Sequence, residues 1–477
     1  MSTLTESDVA ERPVVQPVPP GERHLSALDL GVLWGDLGVG LLVLVTGALL
    51  VPGLGFGMAL VAIVAGSIIG VGMLTLMAVA GAQHGLPSMV LLRPVLGIRG
   101  SWLPTALNIV QLVGWTAVEL WAMSYVADLI SQEVFGFSAR GVWLAIAALL
   151  CGGLALWGPV GVTRVWMERF GVWVVGAITI AVTIAVASSG ELEEAIRSSG
   201  EGGWPTFGPA LDLVIAMPIS WFPLIADYTR YGRGPRAAFF GTFWGYLAAN
   251  VWLYSLGALL VLTADATADP AGIALGILTL AGGSIAGVAF LVGLLAGETD
   301  EAFADIYSGA VSVRNILPRI PQRLLVVVIT AIAAVLAALF TMALYESFLF
   351  LIGSVFVPLL GLVAADHFVR RRSRVEVRSL DGAGAYWFAG GVRWGAMIPW
   401  LAGFLVYHWI NPSPLEWWLK LNQSVFGEPL SVSVPWLCAS VPAFATAFLL
   451  GLLLPRDISS GDRHKRGDHH EDRSQVR

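Results

Sequence analysis

Apolar runs of about 20 residues recur from Leu28 to Leu454, joined by shorter polar connections. A helix of that length crosses a hydrocarbon core of about 30 Å. In lipid, only helices and closed barrels satisfy all their own backbone hydrogen bonds. The runs divide into spans at roughly 28–52, 56–81, 101–130, 141–157, 167–188, 208–229, 238–263, 271–298, 323–341, 345–365, 394–410 and 434–454. The expected fold class is therefore an all-α polytopic membrane protein with twelve transmembrane helices. Charged residues make up 13% of the chain, about half the share of a soluble domain, which argues against a soluble enzyme or a nucleic-acid-binding protein. The partner that composition implies is the lipid bilayer.

The positive charges test this division. With the N-terminus placed in the cytoplasm, all but three of the 27 Lys and Arg fall on the inner face, the exceptions being Arg140, Arg197 and Lys420. Cationic loops stay on the cytoplasmic side, so the even span count and the orientation support each other. The reading is a multi-pass protein of the plasma membrane with both termini cytoplasmic. Residues 1–24 and 456–477 read as disordered tails by their polarity, flanking one transmembrane domain over 25–455. The loop 189–207 falls outside and is expected to carry a short surface helix at 191–198. Cys151 and Cys438 fall inside spans with no metal or CxxC spacing, so neither a disulfide nor a metal framework is expected.

Two spans contain residues that break helices. Span 1 reads "LWGDLGVG", with Gly35, Gly38 and Gly40 around Asp36; span 6 contains Pro218 and Pro223. Glycine costs about 1 kcal/mol in a helix interior and proline about 3 kcal/mol. Interrupted spans at matching positions of two halves point to a transporter binding site. Spans 1–5 (28–188) and 6–10 (208–365) would form inverted repeats, with 394–454 supplying two peripheral helices. A simple kink is the plainer reading of either break.

Ionisable groups at membrane depth are costly and usually functional. In span 3, Gln111, Trp115 and Glu119 are spaced i, i+4, i+8 and share one helix face. An indole beside a carboxylate and an amide suits a planar heterocycle, stacked by one and hydrogen-bonded at its edge by the others. The alternative is a Glu119 paired to another helix. Asp128, near the outer end of the same span, is expected to be solvated. Span 8 ends in "ETDEAFADIYSGA", crowding Glu298, Thr299, Asp300, Glu301 and Asp305 into eight residues. An inner helix end favours cations, so this acidic density suggests either oxygen ligands for a monovalent cation or carboxylates that exchange protons. Asp36 would reach the same region if span 1 unwinds there. Asp227, followed by Arg230 at the inner end of span 6, is expected to pair with a nearby arginine in a structural or gating role. Of the tryptophans, Trp115, Trp221 and Trp34 are placed for a cavity.

The stretches "GAQHGLPSMVLLRPVLGIRGSWLP" (81–104), "QLVGWTAVELW" (111–121), "ISWFPLIADYTRYGR" (219–233) and "ETDEAFADIYSGA" (298–310) resemble the nucleobase:cation symporter family of cytosine, allantoin and hydantoin permeases. They lie in order across the first eight spans. "MPISWFPLIADYTRY" is most similar to the branch proposed to carry hydroxymethylpyrimidine. The resemblance implies a five-plus-five inverted-repeat fold and alternating access. It implies that Trp115 stacks on the substrate, that Glu119 stands where a glutamine often bonds the ring edge, and that span 6 supplies a second aromatic near Ser220, with Trp221 a candidate. It also implies a cation between the break of span 1, through carbonyls such as that of Leu37, and span 8, through Thr299 and its neighbour Asp300. Glu298 stands where a small hydroxyl residue is expected, which shifts the coupling ion from Na+ toward H+. No other cofactor is implied.

The Glu119 departure has a physical reading. An ionised carboxylate only accepts hydrogen bonds, whereas an amide also donates. It prefers an edge with adjacent donors, or a protonatable ring nitrogen beside an exocyclic amine. Aminopyrimidines such as cytosine and hydroxymethylpyrimidine present that edge; uracil and hydantoin do not. The expected function is cation-coupled import of an aminopyrimidine, with Asp305 also facing the substrate. The alternatives are a cytosine- or allantoin-type permease of the same family and a same-fold transporter of amino acids. A membrane enzyme is disfavoured, because His24, His464, His469 and His470 lie in the tails and His84, His367 and His408 lie near span ends, with no nucleophile–base arrangement.

Overall fold

The computed structural model describes residues 15–157, 172–283, 285–317, 319–382 and 384–455. Their regular structure is helical, apart from one isolated bridge between Leu25 and Gly232. One-turn elements aside, the helices are α1 (Ala27–Asp36), α2 (Leu41–Ala48), α3 (Phe56–His84), α4 (Trp102–Phe135), α5 (Arg140–Trp157), α6 (Val172–Ala187), α7 (Leu192–Arg197), α8 (Phe207–Ser220), α9 (Ile225–Thr229), α10 (Pro235–Ala264), α11 (Pro270–Leu280), α12 (Ile285–Ile316), α13 (Gln322–Leu339), α14 (Met342–Val363), α15 (Trp394–Ile410), α16 (Glu416–Phe426) and α17 (Ser440–Leu452). The short surface helix expected in the loop 189–207 is α7. Residues 167–171 of the expected fifth span, and the tail stretches 1–14 and 456–477, lie outside the described residues.

Both breaks are present. Helices α1 and α2 form one span bent by 66° across Leu37–Gly40. A capping box starts α1: the Ser26 hydroxyl accepts from the Asp29 amide at 3.2 Å, and the Asp29 carboxylate accepts from the Ser26 amide at 2.7 Å. This satisfies donors the first turn leaves free. Helix α8 contains Pro218 and ends at Ser220, and the chain turns through Trp221–Leu224, with Pro223 inside the turn, before α9. Proline removes an amide donor, so the Val214 carbonyl, one turn before Pro218, lacks its helical partner and accepts from the Tyr254 hydroxyl at 3.3 Å.

The broken span is held by close contact with α10. Gly31 and Gly35 of α1 lie against Gly241 and Gly245 of α10, with a Cβ built on either α1 glycine 3.6 Å from the facing glycine's carbonyl oxygen. This is a small-xxx-small pairing on both helices, the pattern that lets helix backbones approach closely in lipid. The pairing continues along α2. A Cβ at Gly257 would overlap the Leu44 carbonyl, and one at Gly47 would overlap that of Tyr254.

Three expectations are corrected by the fold. The stretch 271–298 is not one span. Helix α11 ends at Leu280, and Gly282 and Gly283 take left-handed backbone angles (φ 68° and 61°) that glycine adopts without a Cβ penalty. The stretch after them, Ile285–Ile316, is one continuous helix, so Glu298–Asp305 lie near the middle of α12 and not at its end. Residues 15–24, within the stretch read as a disordered tail, pack on the end of α3. There the Val18 amide donates to Gly85 at 2.9 Å, and the Arg23 guanidinium donates to the carbonyls of Val18 and Ala82 at 2.9 and 3.2 Å. Asp128 is buried, not solvated; it accepts from Gln132, Ser138 and the Ala139 amide just ahead of α5.

Candidate functional site

The two breaks face each other across the middle of the bundle, with α4, α10 and α12 closing the space between them. Some 470 Å3 of empty space, part of it open to solvent, lies there. The broken first span contributes Leu37 and Gly40, and α4 contributes Gln111, Trp115 and Glu119. The end of α8 and the turn beyond it contribute Ser220 and Trp221; α10 contributes Tyr246, and α12 contributes Glu301 and Asp305. Leu37, Gln111, Trp115, Glu119, Ser220, Trp221 and Asp305 were all singled out in the sequence, and the fold brings them to one cavity.

The indole of Trp115 is 7% exposed and is braced edge-on by Phe348, with ring centroids 5.3 Å apart. Such T-shaped contacts fix a ring's plane. Trp221 is held edge-on by Trp34 at 5.8 Å, and Trp34 in turn touches Tyr228 and Tyr246 at 5.8 and 6.1 Å. Trp34 is fully buried and acts behind Trp221, outside the cavity lining.

One turn beyond Trp115, Glu119 is 2% exposed, and its Oε2 finds no hydrogen-bond partner among the described residues. A buried carboxyl left like this needs a proton or a donor, because an unpaired buried charge is penalised by several kcal/mol. Gln111 has one half of its amide engaged: Nε2 donates to the Ser220 carbonyl at 2.6 Å, and Oε1 is unpartnered. The cavity thus presents two free acceptors on one helix face beside an aromatic plane.

Residues 298, 301 and 305 of α12 are spaced i, i+3, i+7 and share a face. Glu301 and Asp305 line the cavity, while Glu298 lies one turn further, fully buried. Its Oε1 accepts from the Leu41 amide at 2.6 Å, at the start of α2. Helix N-termini attract carboxylates through their free amides. A Cβ at Gly40 would sit 3.0 Å from Glu298 Oε1 and 3.3 Å from Glu301 Oε1, so a larger residue there would press on both carboxylates.

One assignment is corrected. Asp36, the last residue of α1, is not among the residues lining the cavity, and its electrostatic neighbours are Asp300 and Glu301. Thr299 and Asp300, expected at a cation site beside the break and not in the substrate cavity, are not among the residues lining that cavity, and the Thr299 hydroxyl donates to the Leu295 carbonyl at 2.6 Å. The Asp227 carboxylate feels the charge of Arg230, the arginine expected beside it, without a direct hydrogen bond to its guanidinium among the described residues. The carboxylate accepts from the Ser88 amide while the Ser88 hydroxyl accepts from the Ala226 amide, both at 3.0 Å. Arg230 donates to the Asp227 backbone carbonyl at 3.1 Å and lies over Tyr231. The short loop after α3 reaches this end of α9 first, so the acid is satisfied locally.

Tyr246 was not foreseen. It stands in an apolar stretch of α10, and nothing in that stretch tells a cavity-facing aromatic from a packing one. Glu301 was noticed only as part of an acidic cluster. A second buried acid, Asp212 of α8, was also missed. It accepts from Asn411, from the amides of Ala439 and Ser440 and from the Ser440 hydroxyl, at 2.7 to 3.1 Å, and so ties α8 to the start of α17. A lone Asp inside an apolar span was the available signal.

The comparisons with known proteins bear on the same constellation. The family model for permeases of cytosine/purines, uracil, thiamine and allantoin matches residues 17–425. The chain belongs to this family. The permease is 23% identical over 401 residues to the hydantoin permease of Microbacterium maritypicum, covering 80% of this chain and 81% of that one. It is 23% identical over 427 residues to the cytosine permease of Escherichia coli K12, covering 85% and 90%. Among solved structures it is similar to the inward-facing conformation of Mhp1, with a TM-score of 0.78 and 20% identity over 93% of this chain and 92% of that one. It is also similar to Mhp1 in a closed conformation with bromovinylhydantoin bound, with a TM-score of 0.74 and 21% identity over 93% and 94%. The permease therefore has the five-plus-five inverted-repeat fold with two peripheral helices. It is a membrane transporter and not an enzyme.

Proposed function

We propose that this permease imports an amine-bearing planar heterocycle, an aminopyrimidine such as hydroxymethylpyrimidine or cytosine, by alternating access. The observation that carries the reading is the Glu119 carboxyl, buried and unpartnered one helical turn from the braced face of Trp115. The ring would lie on Trp115, with Trp221 or Tyr246 closing on it from the other side. Its amine would donate to Glu119 and to the free oxygen of Gln111. Charge-assisted hydrogen bonds of this kind contribute about 1.5–3 kcal/mol each, enough to prefer an aminopyrimidine over uracil. The branch resemblance of the 217–231 stretch favours hydroxymethylpyrimidine, and the family equally accommodates cytosine. Amino acids fit less well, because no Lys or Arg lines the cavity among the described residues to receive a carboxylate.

Uptake is coupled to a cation, H+ or Na+, moving inward with the substrate. The Leu37 carbonyl at the break and the Thr299 hydroxyl offer oxygen ligands in the manner of the sodium-dependent pattern. Glu298, an acid where the family pattern has a small hydroxyl residue, favours H+ as the coupling ion. The protein resides in the plasma membrane with both termini in the cytoplasm.

The test is uptake of labelled hydroxymethylpyrimidine and cytosine into proteoliposomes, with sodium and proton gradients imposed separately. Accumulation driven by one of the two gradients is expected. Failure to take up any pyrimidine under either gradient rejects the reading.

A further inference from the structure

Four carboxyls converge on the centre of the bundle. Glu119 comes from α4, while Glu298, Glu301 and Asp305 come from successive turns of α12. Glu119 feels Asp305, Glu301 and Glu298 electrostatically, and Glu301 also feels Asp300 and, from the end of α1, Asp36. Tyr345 of α14, Tyr246 of α10, Tyr228 of α9 and Cys151 of α5 are the other ionisable groups that face the set among the described residues. No Lys, Arg or His lines the cavity among the described residues. One of the four has a built-in positive partner, because Glu298 accepts from the Leu41 amide at the N-terminus of α2. Among the described residues Glu119, Glu301 and Asp305 have no such counter-charge, and Glu119 retains an unpartnered buried oxygen.

A cavity so lined is electrostatically incomplete. Like charges in a medium of low dielectric repel strongly, and each desolvated carboxylate is unfavourable without a cation beside it. Among aliphatic side chains such as Leu42, Val43 and Met217, the other walls include the rings of Trp115, Trp221 and Tyr246, whose faces attract cations. Acidic edges and aromatic faces in one pocket have a common complement: a flat ring that carries positive charge.

We infer that the permease binds its heterocycle as a cation, with Glu301 and Asp305 setting that charge preference beside Glu119. This rests on the reading above that the substrate is a planar heterocycle, and it names the charge state and two further specificity residues. A basic aminopyrimidine bound as its conjugate acid carries its own proton inward. Each turnover then moves one ring and one positive charge, and the proton leaves the ring in the cytoplasm.

The experiment compares ligands of equal shape and different charge. Binding of 4-aminopyridine, which is cationic near pH 7, of aniline, its neutral isostere, and of cytosine and uracil is measured by thermal shift on the purified full-length protein. The measurements are repeated on Glu301→Gln and Asp305→Asn. In the wild type, 4-aminopyridine is expected to bind about tenfold or more tighter than aniline, a difference of about 1.4 kcal/mol. Each variant is expected to lower that ratio about fivefold; a ratio taken within one protein is insensitive to partial loss of folded material. Equal binding of the two isosteres, or a wild-type ratio that persists in both variants, overturns the inference. If cytosine binds while 4-aminopyridine is no tighter than aniline, the inference fails and the aminopyrimidine reading stands. If no heterocycle of either charge binds, both fail.

Discussion

The Gln111 side-chain amide donates to the Ser220 carbonyl at 2.6 Å, while its own oxygen remains free in the cavity. One residue of α4 therefore closes the end of α8, where the proline-containing helix stops, and offers an acceptor to the substrate. The link joins the third span to the broken sixth, so it must adjust if those elements move relative to each other during transport.

Gln111→Leu removes both roles and leaves a buried carbonyl unsatisfied. Losing such a bond costs about 1–3 kcal/mol. The expected result is a lower melting temperature in detergent together with at least tenfold weaker aminopyrimidine binding, both read from one thermal-shift titration. A variant that melts and binds like the wild type would show that the bond is incidental.

Asp212 tests the architecture without touching the cavity. It accepts four hydrogen bonds from Asn411, Ala439 and Ser440 while fully buried. Asp212→Ala strips the start of α17 of its acceptor and is expected to destabilise the protein by about 3 kcal/mol, seen as a marked drop in melting temperature. Asp212→Asn keeps an acceptor and should fall between the two. An unchanged melting temperature for Asp212→Ala would mean that water replaces the carboxylate without loss.

The glycine seam between the broken span and α10 makes a sharper prediction. A side chain at Gly257 would overlap the Leu44 backbone, which has no rotamer with which to yield. Gly257→Val should prevent accumulation of folded protein, whereas Gly57→Val, where a Cβ meets nothing within 4 Å, should be tolerated. Size-exclusion profiles of the two variants from matched membranes distinguish them. Equal, monodisperse recovery of both would show that the helices separate at little cost.

Much of this was legible in the sequence, for identifiable reasons. Apolar runs give membrane spans because the bilayer sets their length, and the i, i+4, i+8 spacing of Gln111, Trp115 and Glu119 fixes a shared face wherever the helix packs. Glycine and proline marked both breaks, because their backbone restrictions are local. What could not be read depended on which elements meet. The acidic cluster was assigned to an inner helix end because 271–298 has the hydropathy of one span; the left-handed Gly282 and Gly283 divide it and place Glu298–Asp305 in the middle of α12. Asp227 was matched to the arginines beside it in sequence, but the hydrogen bond its carboxylate accepts comes from the Ser88 amide in the loop after α3. Tyr246 and Asp36 show the same limit in opposite directions, one brought into the cavity from an unremarkable stretch and the other left out of its lining at the end of α1.

Glu298 provides a test of the break itself. Its carboxylate holds the α2 N-terminus through the Leu41 amide. Glu298→Ala removes that acceptor, which is worth about 1–2 kcal/mol by analogy with helix-cap deletions. Uptake driven by the coupling gradient is expected to fall at least fivefold, while Glu298→Gln, which still accepts a hydrogen bond, should recover stability more than gradient-driven accumulation. Full accumulation by Glu298→Ala would remove Glu298 from the coupling region.

The central claim is that Glu119 grips the amine-bearing edge of a ring lying on Trp115. The most direct measurement is the dissociation constant of a 4-aminopyrimidine and of uracil for the wild type and for Glu119→Gln. The account predicts that the substitution weakens the aminopyrimidine by about 10- to 100-fold, the equivalent of one charge-assisted bond, and changes uracil by less than about threefold. Equal weakening of both ligands, or wild-type protein that does not prefer the aminopyrimidine, would contradict it.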